Sequence, residues 1–282
     1  MSIPQLNLND GTSIPSIGFG TWPLVGAEGY RAVRSALDAG YRLIDSAVNY
    51  ENEGTVGKAI RDFMRESGTP REDITVQTKI PGRHHDTDRA IKSGYESAAR
   101  LGLDQIDVML IHWPNPITGK YLNAWRGLIA LQEQGIARSI GVSNFNVPLL
   151  RDIIDGTGVT PVLNQIELHP LFTQEQMRAE HSRLGIVTES WSPLGKRKAQ
   201  YTAPAVADAA AAHGVSPAQA VLRWQIQLGN LPLPKSESPE RQASNLDVFG
   251  FELTEPEMAA ISALGIPGER LFDADPATHE EM

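Results

Sequence analysis

A closed (β/α)8 TIM barrel with an N-terminal β-hairpin is the α/β fold this sequence predicts, on three observations. Eight strand-like runs alternate with helix-like runs along the chain. A hairpin signature precedes them. The first strand-to-helix turn, Gly18-Phe19-Gly20-Thr21-Trp22-Pro23, lacks the G-x-G-x-x-G spacing of an open dinucleotide-binding sheet, and no helix starts where one would receive a pyrophosphate.

In chain order, residues 5–8 alternate, Asn9-Asp10-Gly11 supplies a turn tolerant of positive φ, and residues 12–14 return. Strands are expected at 16–21, 42–46, 74–79, 108–112, 139–142, 162–167, 186–191 and 231–234. Between them, Ala32, Val33, Ala36 and Leu37 share one helical face before Gly40 ends the helix. Leu128, Leu131 and Gln132 precede Gly135 in the same way, and Leu149, Ile153 and Ile154 precede Gly156. A helix over 218–228 follows a Ser216-Pro217 start, and an alanine-rich helix covers 209–212. Strands joined by right-handed crossover helices form a parallel sheet. Eight such units favour closure into one barrel, a single domain over 1–282 with no linker.

Bulk properties narrow the function. The net charge of −9 argues against nucleic acid or an anionic membrane as partner. The absence of cysteine excludes a disulfide, a thiol nucleophile and a cysteine-ligated metal. No signal-peptide pattern opens the chain, and no apolar run approaches the ~20 residues that span a bilayer. A cytoplasmic monomer acting on small molecules is expected.

In a parallel barrel the chemistry sits at the carboxyl ends of the strands. Asp45, Lys79 and His112 stand at three successive strand ends, and Tyr50 follows Asp45 across a short loop. Counting by twos puts Leu43 in phase with Asp45, Gln77 and Thr75 with Lys79, and Leu110 and Val108 with His112. A buried lysine needs a counter-charge, which Asp45 supplies. An ammonium beside a phenol favours the phenolate and lowers the pKa of Tyr50, making it a general acid. His112 would donate a hydrogen bond to an oxygen gaining negative charge. Taken singly, each of these residues reads more readily as a cap or packing group; together they read as a proton-handling site.

At these residues the chain resembles the aldo-keto reductase superfamily, nearly end to end. The resemblance runs through Gly18-Phe19-Gly20-Thr21-Trp22, Asp45 with Tyr50, Lys79, His112-Trp113-Pro114 and Gly141-Val142-Ser143-Asn144-Phe145. It continues through Asn164-Gln165-Ile166-Glu167-Leu168-His169-Pro170, Ser192-Pro193-Leu194-Gly195 and Pro234-Lys235-Ser236. Trp191, where many animal members carry tyrosine, and the short tail after Gly265 look most like the bacterial branch that includes 2,5-diketo-D-gluconate reductases. The resemblance implies NADPH-dependent reduction of an aldehyde or ketone without a metal, with Tyr50 as general acid, Lys79 and Asp45 tuning it and His112 orienting the carbonyl.

It also implies a cofactor set. Thr21, Trp22 and Asp45 belong to it; Ser143, Asn144 and Gln165 would hold the nicotinamide carboxamide; Trp191 would stack on the ring. Ser192, Leu194 and Gly195 would bring backbone amides to the pyrophosphate. Lys235, Ser236, Arg241 and Asn245 would take the 2′-phosphate and adenine end, favouring NADPH. Glu237 and Ser244 depart from the family pattern there and would either weaken binding or relax the preference toward NADH. Trp22, Tyr50, His112, Trp113 and Trp191 would line the substrate cavity, with the loop 115–123 and the tail near Leu271 and Phe272 choosing among substrates.

Other residues read as bystanders. Lys196-Arg197-Lys198 reads as a solvated charged loop, His84-His85-Asp86 as a polar loop, and His181, His213 and His279 as surface residues. Two competing functions are a barrel hydrolase pairing Asp45 with Glu167, and a cofactor-sensing interaction subunit with little turnover. Glu167 is out of phase with Ile166, taken as inward, which disfavours the hydrolase.

Overall fold

The computed structural model describes residues 3–196 and 201–281. Two short antiparallel strands, β1 (Gln5–Asn7) and β2 (Ser13–Pro15), form the hairpin. Eight parallel strands follow, neighbours in chain order: β3 (Phe19–Gly20), β4 (Leu43–Asp45), β5 (Thr75–Ile80), β6 (Ile106–Ile111), β7 (Ala137–Ser143), β8 (Leu163–Glu167), β9 (Val187–Trp191) and β10 (Leu231–Pro232). Helices α1 (Gly26–Ala39), α2 (Glu53–Ser67), α3 (Thr87–Leu101), α4 (Tyr121–Glu133), α5 (Val147–Thr157) and α6 (Glu175–Leu184) connect β3 to β9 in turn. Helices α7 (Pro204–His213) and α8 (Pro217–Gln227) lie before β10, and α9 (Pro239–Leu246) and α10 (Glu255–Ser262) after it.

The barrel closes between its first and last strands. Gly18 N donates to Pro232 O (3.1 Å) and Gly20 N to Pro234 O (3.2 Å). Both acceptor residues are prolines without an N–H, so the seam is bonded from one side only. This is why β3 and β10 are shorter than the expected 16–21 and 231–234. Glycine is needed at the seam: a Cβ at Gly18 would stand 2.6 Å from Leu233 and Leu43 side-chain atoms.

Alternation sorts the strands into two cores. Ile44, Val76, Met109, Ile111 and Val142 face outward and pack on Val33, Leu37, Ile60, Leu101, Leu128 and Leu131 of the helices. Leu43, Val108, Leu110, Leu163 and Leu231 face inward, joined by Leu8 and Ile14 of the hairpin. Each such buried aliphatic side chain contributes about 1.5–3 kcal/mol. Above this apolar lower half, toward the strand carboxyl ends, the inward positions turn polar at Asp45, Gln77, Lys79, Gln165 and Glu189, all buried.

The amphipathic helices lie where the periodicity puts them, with one boundary moved. Helix α5 passes through Gly156 and stops at Gly158, whose φ of 74° supplies the left-handed cap.

Candidate active site

Strands β4 and β5 deliver the first two groups side by side. Lys79 is fully buried, and its Nζ donates to both oxygens of Asp45 (2.6 and 2.7 Å), to Ser46 O (2.9 Å) and to Tyr50 Oη (3.3 Å). Tyr50 sits on a single 3-10 turn over Val48–Tyr50 just past β4. Because Lys79 donates to Oη, the phenol's own hydrogen is left for the cavity. His112 follows the last residue of β6, with its ring edge-on to Tyr50 at 5.5 Å between centroids. The four predicted residues are therefore brought together.

The direction of tuning at Tyr50 differs from the expectation. Burial pushes the phenol up to about 12; Lys79 pulls it down, but this pull and its hydrogen bond do not offset burial together with the nearby Asp45 carboxylate. Tyr50 is thus a proton donor that stays loaded across the neutral range. At Lys79 burial acts to lower the ammonium, but Asp45, Tyr50 and Glu189 outweigh it and the net direction is up.

Beneath the relay lies a cluster that sequence reasoning missed. Glu189 of β9 accepts through Oε2 from Gln77 Nε2 (2.6 Å) and Gln165 Nε2 (2.7 Å), and the same two amides reach Asp45 Oδ1 (2.8 and 3.2 Å). Glu189 was findable, since it stands two residues before Trp191 on one strand. Glu281 is the second omission. Its Oε1 lies 2.7 Å from His112 Nδ1, and no local signal in the sequence connects position 281 to position 112.

Above these groups opens a cavity of about 880 Å³. Its lining includes Thr21, Trp22, Asp45, Tyr50, His112 and Trp113, and on the other side Ser143, Asn144, Gln165, Trp191, Ser192, Leu194, Gly195, Lys235, Arg241 and Phe272. Lys79 is screened behind Asp45 and Tyr50. Ser236 and Asn245 do not line the cavity. Ser236 lies behind Arg241, accepting from its Nε at 3.1 Å, and Asn245 is buried on α9.

The donor set suits a dinucleotide. Gln165 Nε2 is committed to the cluster, which leaves Oε1 to offer the cavity. Ser143 Oγ donates to Gln165 O (2.8 Å). Asn144 is more fully engaged than expected: Nδ2 donates to His112 O (3.0 Å) and Oδ1 accepts from Trp191 Nε1 (2.8 Å). It ties the imidazole strand to the indole that forms the cavity wall. Ser192 and Gly195 take φ of 49° and 64°, curling the backbone at that wall. Arg241 stands at one end, while Lys235 pairs with Glu237 at 2.6 Å. The departure at Glu237 therefore consumes one of the two cations there.

Several expectations are corrected. Ile166 packs outward on Val206, Val221 and Trp224, so Glu167 is in phase with Gln165. Its Oε1 is occupied by Leu271 N (2.7 Å) and His169 Nε2 (3.0 Å). His181 is fully buried between Asn164 Nδ2 (3.0 Å) and Thr188 Oγ1 (2.8 Å), whereas His279 is half-buried, its ring 4.2 Å from that of Trp113 between centroids and tilted by 53°. His84 and His85 are buried as well. Lys196 is exposed, as a solvated loop residue would be, and also lies over the rings of Trp22 and Phe272 at 4.0 and 4.7 Å; Arg197 and Lys198 fall outside the described residues. The loop 115–123 does not line the cavity; Asn115, Ile117 and Thr118 bind residues 280 and 281 instead. Of the tail, Phe272 lines the cavity and Leu271 does not.

The barrel mouth gathers a phenol, an ammonium, a carboxylate and an imidazole around one cleft, groups able to exchange protons. The chain belongs to the aldo/keto reductase family, whose model matches residues 16–266. It is 52% identical over 281 residues to 2,5-diketo-D-gluconic acid reductase B of Corynebacterium, covering 100% of this chain and 99% of that one. An aldo-keto reductase of Mycolicibacterium smegmatis is 46% identical, with 98% of each chain covered. Among solved structures, the aldo/keto reductase of Brucella melitensis superposes with a TM-score of 0.89 at 43% identity, covering 93% of this chain and all of that one. The Bombyx mori aldo-keto reductase, solved in complex with NADP, gives 0.87 at 36% identity over 94% of each chain.

Proposed function

We propose that this enzyme reduces aldehydes and ketones to alcohols with NADPH, using Tyr50 as general acid, Lys79 and Asp45 as its charge partners and His112 to orient the carbonyl. The observation that carries the reading is the buried Lys79 ammonium, bonded to Asp45 and to the Tyr50 oxygen at the cavity floor. NADPH, when bound, supplies the hydride that the carbonyl carbon receives. The protein's part is to place the carbonyl oxygen and protonate it. Tyr50 transfers its hydroxyl proton to that oxygen, becomes a phenolate and is reprotonated from solvent.

A phenol near 12 is a weak acid, so its conjugate base must be stabilised where it forms. At 3.3 Å a unit positive charge attracts a phenolate by about 5 kcal/mol for an effective dielectric near 20. Lys79 exerts that pull mainly on the charged form, which is what speeds transfer. The cavity wall supplies Ser143 and Gln165 for the carboxamide, the Trp191 face for the nicotinamide ring and Arg241 for the 2′-phosphate.

The relative from Corynebacterium directs the substrate class toward diketo sugar acids, with methylglyoxal and other small carbonyls as comparisons. Lys196 at the mouth offers a cation for an acidic substrate. The test is NADPH oxidation against a panel of sugar-derived diketones, methylglyoxal and aromatic aldehydes, with Tyr50→Phe as control. Turnover should vanish in the variant while NADPH still quenches tryptophan fluorescence. Unchanged turnover in Tyr50→Phe would refute the mechanism. NADPH binding without turnover of any carbonyl by the unmodified protein would favour the sensing role instead.

A further inference from the structure

Asn144 follows the last residue of β7 and bonds to three other strand ends. Its backbone N donates to Gln165 O of β8 (2.9 Å), its Nδ2 donates to His112 O just past β6 (3.0 Å), and its Oδ1 accepts from Trp191 Nε1 at the end of β9 (2.8 Å). The partners fix which way the amide points, because a carbonyl oxygen only accepts and an indole N–H only donates. The ladder between β6 and β7 ends at the pair Ile111 and Val142. The Asn144 side chain therefore holds the main chain one step beyond that ladder. The residue is buried and takes φ of 62°, a left-handed conformation that asparagine adopts more readily than most side chains.

We propose that Asn144 is a positioning residue that braces the Trp191 indole against the strand end carrying His112, so that ring wall and imidazole keep one separation across the cavity. The inference rests on the proposed function, in which the nicotinamide lies on the Trp191 face and the carbonyl oxygen at His112. Hydride transfer needs its two carbons held within a narrow distance, and each is placed by one end of the brace. The indole has a single polar atom, Nε1, so its directional restraint comes from Asn144. A tyrosine ring at 191 would carry no N–H to receive it. The tail gives the indole a softer contact: Phe272 stands 6.1 Å away between centroids and is itself 53% exposed.

The hydrogen inventory separates this role from holding the carboxamide. Nδ2 has two hydrogens, and the second goes to Ser143 Oγ (3.0 Å), whose own hydrogen is spent on Gln165 O (2.8 Å). Asn144 thus has no donor left for the cavity and offers a cofactor only the second lone pair of Oδ1. Its remaining polar atoms are committed to β6, β7 and β9 at once, as a brace between strand ends requires.

Three variants test the brace. Asn144→Gly tolerates the left-handed backbone and removes both side-chain bonds, Asn144→Asp keeps an acceptor for the indole, and Trp191→Phe keeps an aromatic face without the N–H. The chain has five tryptophans, and the indole ¹⁵N–H signal lost in Trp191→Phe belongs to Trp191. In the cofactor-free protein that hydrogen should exchange slowly with solvent, as it should in Asn144→Asp, and about tenfold faster or more in Asn144→Gly. In NADPH-dependent reduction Asn144→Gly should lower kcat about 10- to 100-fold, while NADPH affinity by fluorescence quenching changes less than about threefold. In a Trp191→Phe background the same glycine change should cost less than about threefold in kcat, because the brace has already lost one end. An unchanged exchange rate in Asn144→Gly, or an equal loss of kcat in both backgrounds, would overturn the proposal. Absence of turnover in the unmodified protein would overturn the reductase reading instead, and the exchange rates would still decide whether Asn144 holds the indole.

Discussion

Replacing Glu189 with glutamine probes the polar floor of the barrel at the point where its charge is least supported. The residue is fully buried, and its Oε1, like Gln77 Oε1, has no hydrogen-bond partner among the described residues. Burial, followed by the nearby Asp45 carboxylate, pushes its carboxyl from 4.5 to about 8. A carboxyl raised in the folded state binds its proton more tightly folded than unfolded. Its contribution is therefore complete below about pH 4.5 and is lost as pH climbs toward 8. At about 1.36 kcal/mol per pH unit the loss reaches about 3 kcal/mol at pH 7 and about 5 kcal/mol above pH 8. Glutamine keeps the acceptor for Gln77 and Gln165 and has no charge to bury. Glu189→Gln should match the unmodified protein near pH 5 and exceed it by up to about 5 kcal/mol at pH 8.5, or about 10 °C in melting temperature for a chain of this size. Urea unfolding followed by tryptophan fluorescence at pH 5, 7 and 8.5 measures the gap. A gap that does not change with pH, or a variant less stable at pH 8.5, would refute the reasoning.

The other predictions concern charge at the two ends of the cavity. Arg241→Ala should weaken NADPH far more than NADH, by about tenfold or more, because one charge-assisted contact to a phosphate is worth about 1.5–3 kcal/mol; equal losses in fluorescence titrations would exclude Arg241 from the 2′-phosphate site. Lys79→Met leaves Asp45 buried without its cation and should cost about 3–5 kcal/mol in urea unfolding at pH 7 while abolishing turnover. Adding Asp45→Asn should restore part of that stability and none of the activity, and strictly additive losses would mean the two side chains are not coupled.

Much of this molecule is legible residue by residue, and what is not has a common cause. Asp45, Lys79 and the strand before His112 could be placed because alternation along a strand is a local property. The same rule reaches Gln77 and Glu189, which share a face with Lys79 and Trp191 respectively. It failed at Ile166 because the phase of β8 was set from the wrong residue. Fully buried His181 was misplaced because its partners, Asn164 and Thr188, come from two different strands. The pKa of Tyr50 was misjudged because a neighbouring cation can be read from sequence, whereas the depth of burial that outweighs it cannot.

The sequence by itself determined the alternation of strands and helices, the inward polar positions at the strand ends and the residue types that handle protons there. Tertiary structure alone decided how the barrel closes at a seam bonded from one side, how Glu189 shares two amides with Asp45, and how Glu281 meets His112. The division is physical. Periodicity and strand phase arise from backbone geometry repeated every few residues, so a single chain displays them. Burial, hydrogen-bond partnership and charge compensation depend on which distant segments the closed barrel brings within about 3 Å of one another.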